Sequence, residues 1–348
     1  MKIALVSRRF DKNSGSAEWI YSYWLKENLI REGFEVYEIE QKNASVSSSR
    51  IKKMCYDFFV LPTRLLYCRL FEGIKTFHFL SENQATYAWL IKLFKGKTIT
   101  QFYDIVRIKN KKFGLDKLYF SVVYRLASLS EKIICISSST SKDVHTYLNI
   151  KNDKIEIIYP IYRSFKPKRP KENKKFVIGY LGALDKRKRV DLLIELAEKI
   201  EKAKISDLAI EIWGRGNLYE ELKEKSKNFG NIVSLRGFAS EKELEKTYNS
   251  FDFFVFPSKY EGFGLPVIEA MMCGKPSFIL DDGYFPKEVK DGCIVCRNTN
   301  EIFKKITELM KNRKAYGKFS EKSLQYSKKF TPQNNFKKLI NIYKKLLK

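Results

Sequence analysis

The sequence predicts an α/β protein made of two successive halves, each built on a parallel sheet. Two observations carry this. Short apolar runs alternate with helical patterns along almost the whole chain, the order expected of strand–helix–strand units. The alternation breaks once, between Phe165 and Lys175, where Lys, Pro, Arg, Glu and Asn take over, and it then restarts. At 348 residues the chain is long enough to bury two ordinary cores.

The elements follow in order. Lys2–Ser7 reads as a buried strand, and a polar turn with Gly15 leads into a helix from about Ala17 to Arg31. Gly33 stands where a helix C-cap belongs, and Glu35–Ile39 starts the next strand. Further strands are expected at Thr76–Leu80, Thr98–Tyr103, Lys132–Ile136 and Ile155–Tyr159, separated by helices that include Ala85–Phe94 and Asp116–Ser130. The Ser137–Ser141 run offers a hydroxyl cap to a helix reaching about Leu148. Beyond the interruption, strands are expected at Phe176–Leu181, Leu208–Trp213, Ile232–Arg236, Phe253–Phe256 and Pro276–Leu280. The helices between them are Val190–Ala203, Leu218–Asn228, Glu241–Tyr248 and Pro266–Cys273. A basic amphipathic helix, about Pro332–Leu347, follows a break at Phe330–Thr331. The expected domains are 1–165, 166–330 and the terminal helix 331–348.

Composition narrows the function. The net charge of +26 calls for an anionic partner: a phosphorylated substrate, an anionic membrane or a nucleic acid. Residues 1–165 carry 27 Lys/Arg against 16 Asp/Glu and the remainder 39 against 24, so neither half is a basic arm. With no nucleic-acid-binding motif either, nucleic acid is not the expected partner. Two histidines rule out a histidine-rich metal centre. The Cys293–Cys296 pair lacks a second pair, and it is read as a strand with two small buried side chains. The amino terminus reads as a first strand and not a signal peptide, and Met54–Phe71 is interrupted by Asp57, Pro62, Arg64 and Arg69, which argues against a membrane span. A cytoplasmic location is expected.

The strongest chemical signal lies between Phe253 and Gly274. An apolar strand ends at Pro257-Ser258, and ligands of open α/β sheets bind beyond such strand ends. Gly262 and Gly264 allow close backbone approach, and the helix that starts near Pro266 presents free N–H groups to a phosphate. Glu269, a turn into that helix, suits two vicinal hydroxyls such as a ribose supplies, while Glu261 on the loop reaches a group beyond a diphosphate. An ordinary strand–loop–helix connection with solvated carboxylates fits the spacing too. Asp281-Asp282-Gly283 is read as a turn and not a metal site.

Here the chain resembles a family. Ser258-Lys-Tyr-Glu-Gly-Phe-Gly-Leu-Pro-Val-Ile-Glu-Ala-Met271 matches the E-x7-E region of retaining GT-B glycosyltransferases of family 4, also called glycosyl transferases group 1. The resemblance implies a GT-B fold, two Rossmann-like domains facing a central cleft, with the terminal helix packing back on the amino-terminal domain. It implies that Glu269 binds donor ribose, Glu261 meets the donor sugar, and the backbone of Phe263, Gly264 and Leu265 meets sugar and phosphate. Tyr180–Leu193 looks like the family's G-R-L-x-x-x-K-G-V-D-x-L stretch, which places Gly182 in the donor site and Lys188 on the leaving diphosphate. Gly214 falls on a family G-x-G turn, Phe238 on the segment passing the base, and Gly15 and Ser16 on the glycine loop near the diphosphate.

Two departures stand out. Ala183 replaces the usual Arg, with Arg187 or Arg189 as candidate substitutes, and Tyr103-Asp104 replaces the His-Asp of many members. The expected activity is transfer of a sugar from a UDP- or GDP-sugar to a glycan or lipid-linked acceptor, with no cofactor and no metal requirement. A catalytically weak sugar-nucleotide binder and, behind it, a basic nucleic-acid-binding protein are the alternatives. The acceptor side belongs to the amino-terminal half in this architecture. There Lys52-Lys53 precede Met54–Phe71, and Lys109 with Lys111-Lys112 precedes the aromatic helix Leu115–Leu129. Such a pairing suits peripheral contact with an anionic membrane on its inner face.

Overall fold

The structure is a computed structural model that describes residues 1–14, 16–40, 56–109, 114–168 and 175–347. The chain divides into two compact units, Met1–Tyr162 with Gln333–Lys348, and Arg163–Pro332.

The first unit holds a six-stranded sheet in the order β2-β1-β3-β4-β5-β6, with every neighbouring pair parallel. The strands are β1 (Lys2–Ser7), β2 (Glu35–Glu40), β3 (Thr76–Phe79), β4 (Lys97–Phe102), β5 (Lys132–Cys135) and β6 (Ile155–Ile157). Burial on both faces explains the continuous apolar run of β1, and it reaches β3 as well, where Thr76 and His78 are wholly buried beside Phe77 and Phe79. The helix Ala17–Arg31 follows β1 as expected. The expected helix Ala85–Phe94 is instead a 3-10 turn, Ala85–Tyr87, followed by the short helix Ala88–Leu93. Ser137 caps Ser138–Leu148 by accepting the Thr140 N–H at 3.1 Å.

The terminal helix Pro332–Leu347 belongs to this first unit. Its Tyr343 is buried against Phe34 and hydrogen-bonds His78 Nδ1 at 2.6 Å. Phe336 meets Trp24 edge-on, and Asn335 accepts the Tyr159 N–H.

The second unit repeats the plan in the order β12-β11-β10-β7-β8-β9, again parallel throughout. Its strands are β7 (Phe176–Leu181), β8 (Leu208–Trp213), β9 (Val233–Gly237), β10 (Phe253–Val255), β11 (Ser277–Leu280) and β12 (Ile294–Cys296). Cys296 is buried in β12 and Cys293 lies just before it, half-buried. Helices Thr299–Lys311 and Arg313–Ser327 complete the unit; Ile302, Ile306 and Leu309 of the first are buried at helical spacing. The helix expected from Glu241 is regular from Leu244, and the turn before it carries a capping contact in which Glu243 accepts both the N–H and the hydroxyl of Ser240. Among the described residues no helix is long and apolar enough to cross a membrane.

Candidate functional site

β10 runs through the buried core and releases the chain at Phe256-Pro257. The loop beyond it is pinned. Glu261 N–H donates to Tyr284 O at 2.9 Å, and the rings of Tyr260 and Tyr284 stack at 5.0 Å. The Ser258 hydroxyl donates to Glu261 Oε1 at 2.5 Å. Facing it, the 3-10 turn Lys186–Lys188 is capped by Asp185, whose Oδ1 accepts the Lys188 N–H. That turn brings Lys188 Nζ to 2.5 Å from Glu261 Oε1 and 4.8 Å from the centre of the Phe256 ring. Arg187 Nη1 reaches the same oxygen at 3.3 Å. Lys188 and Glu261 are both buried. Burial draws the Lys188 ammonium below the ordinary lysine range, Glu261 pulls it back up, and Arg187 lowers it again. Two residues singled out from distant parts of the sequence thus meet as one ion pair.

Glu269 lies on the helix Leu265–Met272, whose N-cap Gly264 has φ +98°, a left-handed conformation that glycine adopts without strain. Pro266 occupies the second position of this helix, where a missing N–H costs nothing. The Glu269 carboxylate is buried and held from two sides. Tyr248 donates its hydroxyl to Oε2 at 2.7 Å, and the Arg163 guanidinium donates to Oε1. Arg163 also grips Glu241, Nε to Oε2 at 2.9 Å and Nη2 to Oε1. Burial, and then Glu269, hold the Tyr248 phenol well above its usual range.

Gly182 and Gly214 close the ends of β7 and β8 on each other. A Cβ on Gly214, at φ +155°, would stand 1.9 Å from Gly182 O. The requirement for glycine there is therefore met by backbone against backbone within the unit. Phe238 is exposed, with the Arg215 guanidinium 3.7 Å above its ring. Phe263 is buried against Phe330. At the Ala183 departure, the Ala183 carbonyl accepts the Tyr180 hydroxyl at 2.7 Å. Of the two candidate substitutes, Arg187 points at Glu261, whereas Arg189 is committed to Pro257 O and to both oxygens of Asp282. Asp282, paired with Arg189 and Lys259, is held down at about 2 by those two cations. No group of three His, Cys, Asp or Glu able to hold a metal occurs among the described residues.

The remaining candidates belong to the first unit. Gly15 lies outside the described residues; Ser16 is the N-cap residue of Ala17–Arg31. The Tyr103 hydroxyl is buried with no hydrogen-bond partner among the described residues. Burial, then Glu18, keeps that phenol well above its usual range, so it stays protonated. Asp104 Oδ1 accepts the Val106 N–H at 3.1 Å, opening the short helix Val106–Lys109. Glu82, below the Tyr103 N–H at 3.4 Å, is pushed up to about 8, by burial first and by Asp104 and Glu18 among the smaller causes. Lys52, Lys53, Lys111 and Lys112 lie outside the described residues, and Lys109 pairs with Asp143 at 3.0 Å.

Sequence reasoning missed Arg163, Tyr248, Ser258 and Glu82. Arg163 carried one faint signal: it is the sole charged residue between Glu156 and Lys166, in an apolar and aromatic stretch. Tyr248 carried none, because its role depends on two helices meeting.

Comparison with known proteins places these residues in context. Residues 162–326 match the family model described as glycosyl transferases group 1. The chain is 29% identical over 175 residues, 48% of this chain and 35% of the relative, to a poly(ribitol-phosphate) alpha-N-acetylglucosaminyltransferase of Staphylococcus aureus. It spans between about a third and three fifths of the length of the first curated relatives it matches. In three dimensions it resembles sucrose-phosphate synthase from Thermosynechococcus elongatus, with TM-score 0.78 and 17% identity over 99% of each chain. Anabaena HepE in complex with UDP aligns with TM-score 0.74 and 15% identity, over 99% of this chain and 100% of that one. The fold is GT-B, and the segment 162–326 that carries Lys188, Glu261 and Glu269 matches glycosyl transferases group 1, which makes this chain a homologue of glycosyltransferases.

Proposed function

We propose that the chain is a retaining glycosyltransferase of family 4 that moves a sugar from a UDP- or GDP-sugar to a glycan or lipid-linked acceptor. The observation that carries this reading is the contact of Lys188 with Glu261 at the end of a parallel sheet, in the same unit as the buried, doubly held Glu269. In the proposed mechanism Glu269 accepts the ribose hydroxyls, and the start of the helix Leu265–Met272 faces the diphosphate with its free N–H groups. Lys188 and Arg187 carry positive charge to where negative charge grows as the glycosidic bond breaks, so the proposed reaction needs no divalent ion. Ser258 and Lys188 fix Glu261, which addresses the donor sugar. Gly15, Ser16, Tyr103 and Asp104 are proposed to take part in donor binding and transfer.

The test is donor hydrolysis and transfer with a panel of nucleotide sugars, in chelator and with Glu269→Gln and Lys188→Ala beside the parent. Turnover with one donor, retained in chelator and lost in both variants, is the expected result, and the anomeric configuration of the product reads retention directly. Tight nucleotide binding without turnover would favour the weak binder. Salt-dependent nucleic-acid binding that survives Glu269→Gln would favour the third reading.

We further propose that the protein works against an anionic membrane surface on the cytoplasmic side. Phe58, Phe59, Tyr67, Leu70 and Phe71 are exposed on the segment Tyr56–Leu70 and its end, as are Leu118, Tyr119 and Val122 on Leu115–Ala127. Right-handed crossovers put the helices Leu61–Leu70, Ala88–Leu93 and Leu115–Ala127 on the same side of the sheet, where Arg125 is exposed, while Arg64 is held by the Glu38 and Glu40 carbonyls and Lys92 by Glu131. Phe58→Ser with Phe59→Ser and Phe71→Ser should lower binding to phosphatidylglycerol vesicles at least about tenfold. Unchanged binding would remove the membrane from the proposal.

A further inference from the structure

We infer that Arg163 is a positioning residue of the donor site, a guanidinium that sets the Glu269 carboxylate to receive a vicinal diol. The inference rests on the reading of Glu269 as the ribose carboxylate and adds a residue which that reading does not contain.

A carboxylate offers about four lone-pair sites on two oxygens. Tyr248 takes one on Oε2 and Arg163 takes one on Oε1, which among the described residues leaves each oxygen able to accept one more donor. Both holders are themselves fixed. Tyr248 is wholly buried, and its ring packs on Phe165, Phe251 and Phe254, so its hydroxyl has a single direction. Arg163 is planar and uses a different edge on each partner, Nε and Nη2 on Glu241 and Nη1 on Glu269. Glu241 thereby sets the plane of the guanidinium, and the guanidinium sets the rotation of the Glu269 carboxylate. One donor on each oxygen leaves the remaining lone pairs in a fixed orientation. A ribose 2′,3′-diol can then bind without first ordering its acceptor, which is where a positioned site gains affinity.

Lysine would not do the same. A single ammonium on a flexible stem supplies the charge but not the fork that spans two carboxylates. The place of Arg163 in the chain fits the assignment as well. It is the first residue of the second unit and is tied into it by these two carboxylates.

The experiment compares calorimetric binding of UDP and GDP with binding of their 2′,3′-dideoxy analogues, using the full chain and Arg163→Met, Arg163→Lys, Glu241→Gln and Glu269→Gln. Loss of a charge-assisted hydrogen bond at a buried carboxylate predicts about 10- to 100-fold weaker binding of the ribonucleotide to Arg163→Met. The dideoxy analogue should bind parent and variant alike, a difference that a general loosening of the fold does not produce. Arg163→Lys should recover part of the affinity, and Glu241→Gln should lose less than Arg163→Met in the same direction. Equal or tighter ribonucleotide binding by Arg163→Met would overturn the inference by making Arg163 a competitor for Glu269. An equal loss for both nucleotides would overturn it by making the role structural. Glu269→Gln separates the two levels. If it leaves ribonucleotide binding intact, the donor-site reading fails and takes this inference with it; if it weakens binding while Arg163→Met does not, only the inference falls.

Discussion

Lys188 sits where it does because three separate constraints agree. Asp185 caps its turn, Phe256 floors its ammonium, and Glu261, oriented by Ser258, receives it. Replacing Lys188 by Ala leaves Glu261 with Ser258 and Arg187 as partners, so the fold should survive while charge at the leaving group is lost. We expect kcat at saturating donor to fall by about 10²–10³, with a smaller change in donor KM, measured by initial rates. Gly214 is a different kind of residue. Its Cβ would collide with the Gly182 carbonyl, so Gly214→Ala should cost at least about 2 kcal/mol in chemical denaturation without any ligand present. Tyr103 makes a third case. The sequence places it at a strand end beside Asp104, but only the structure shows a buried phenol held protonated. As a proton donor or a hydrogen-bond partner it has a use; as a base near neutral pH it has none.

At the scale of elements, the terminal helix shows how a local pattern and a distant partner divide the information. Its amphipathic spacing is readable in Pro332–Leu347, yet nothing local says that Tyr343 meets His78. Burial pulls the His78 pKa down to about 3 from its ordinary value near 6.5. The folded state therefore binds fewer protons than the unfolded chain between those values. The stability this histidine contributes is present above about pH 6.5 and is lost as pH falls toward 3. Thermal unfolding should show that loss on acidification, and His78→Gln should flatten it. Amide exchange should localise the opening to Pro332–Leu347. The helix Thr299–Lys311 buries Ile302, Ile306 and Leu309 at helical spacing but adjoins no motif, and the helix expected from Glu241 is regular only from Leu244, past the capping contact between Ser240 and Glu243.

Across the whole molecule, the doubled α/β plan was legible because parallel sheets buried on both faces need long apolar runs and helical crossovers, and both leave a period in the sequence. Strand order was not, since β10 enters between β7 and β11 by long-range pairing that no local run encodes. The division between units shows the same limit. Composition alone marks a break from Phe165 to Lys175, while the compact units part between Tyr162 and Arg163, and the Arg163 side chain is held by Glu241 and Glu269 more than seventy residues on. The sequence by itself determined the two-sheet class, the glycine-bounded helix start at Gly264 and the interest of Glu261 and Glu269, because backbone requirements and residue spacing are local; Lys188 stood out through the family resemblance of Tyr180–Leu193. Only the tertiary structure decided that Lys188 pairs with Glu261, that Gly214 serves backbone packing, and that Arg163 and Tyr248 hold Glu269. Each of those depends on groups that come within hydrogen-bond or contact distance only when separate elements pack together.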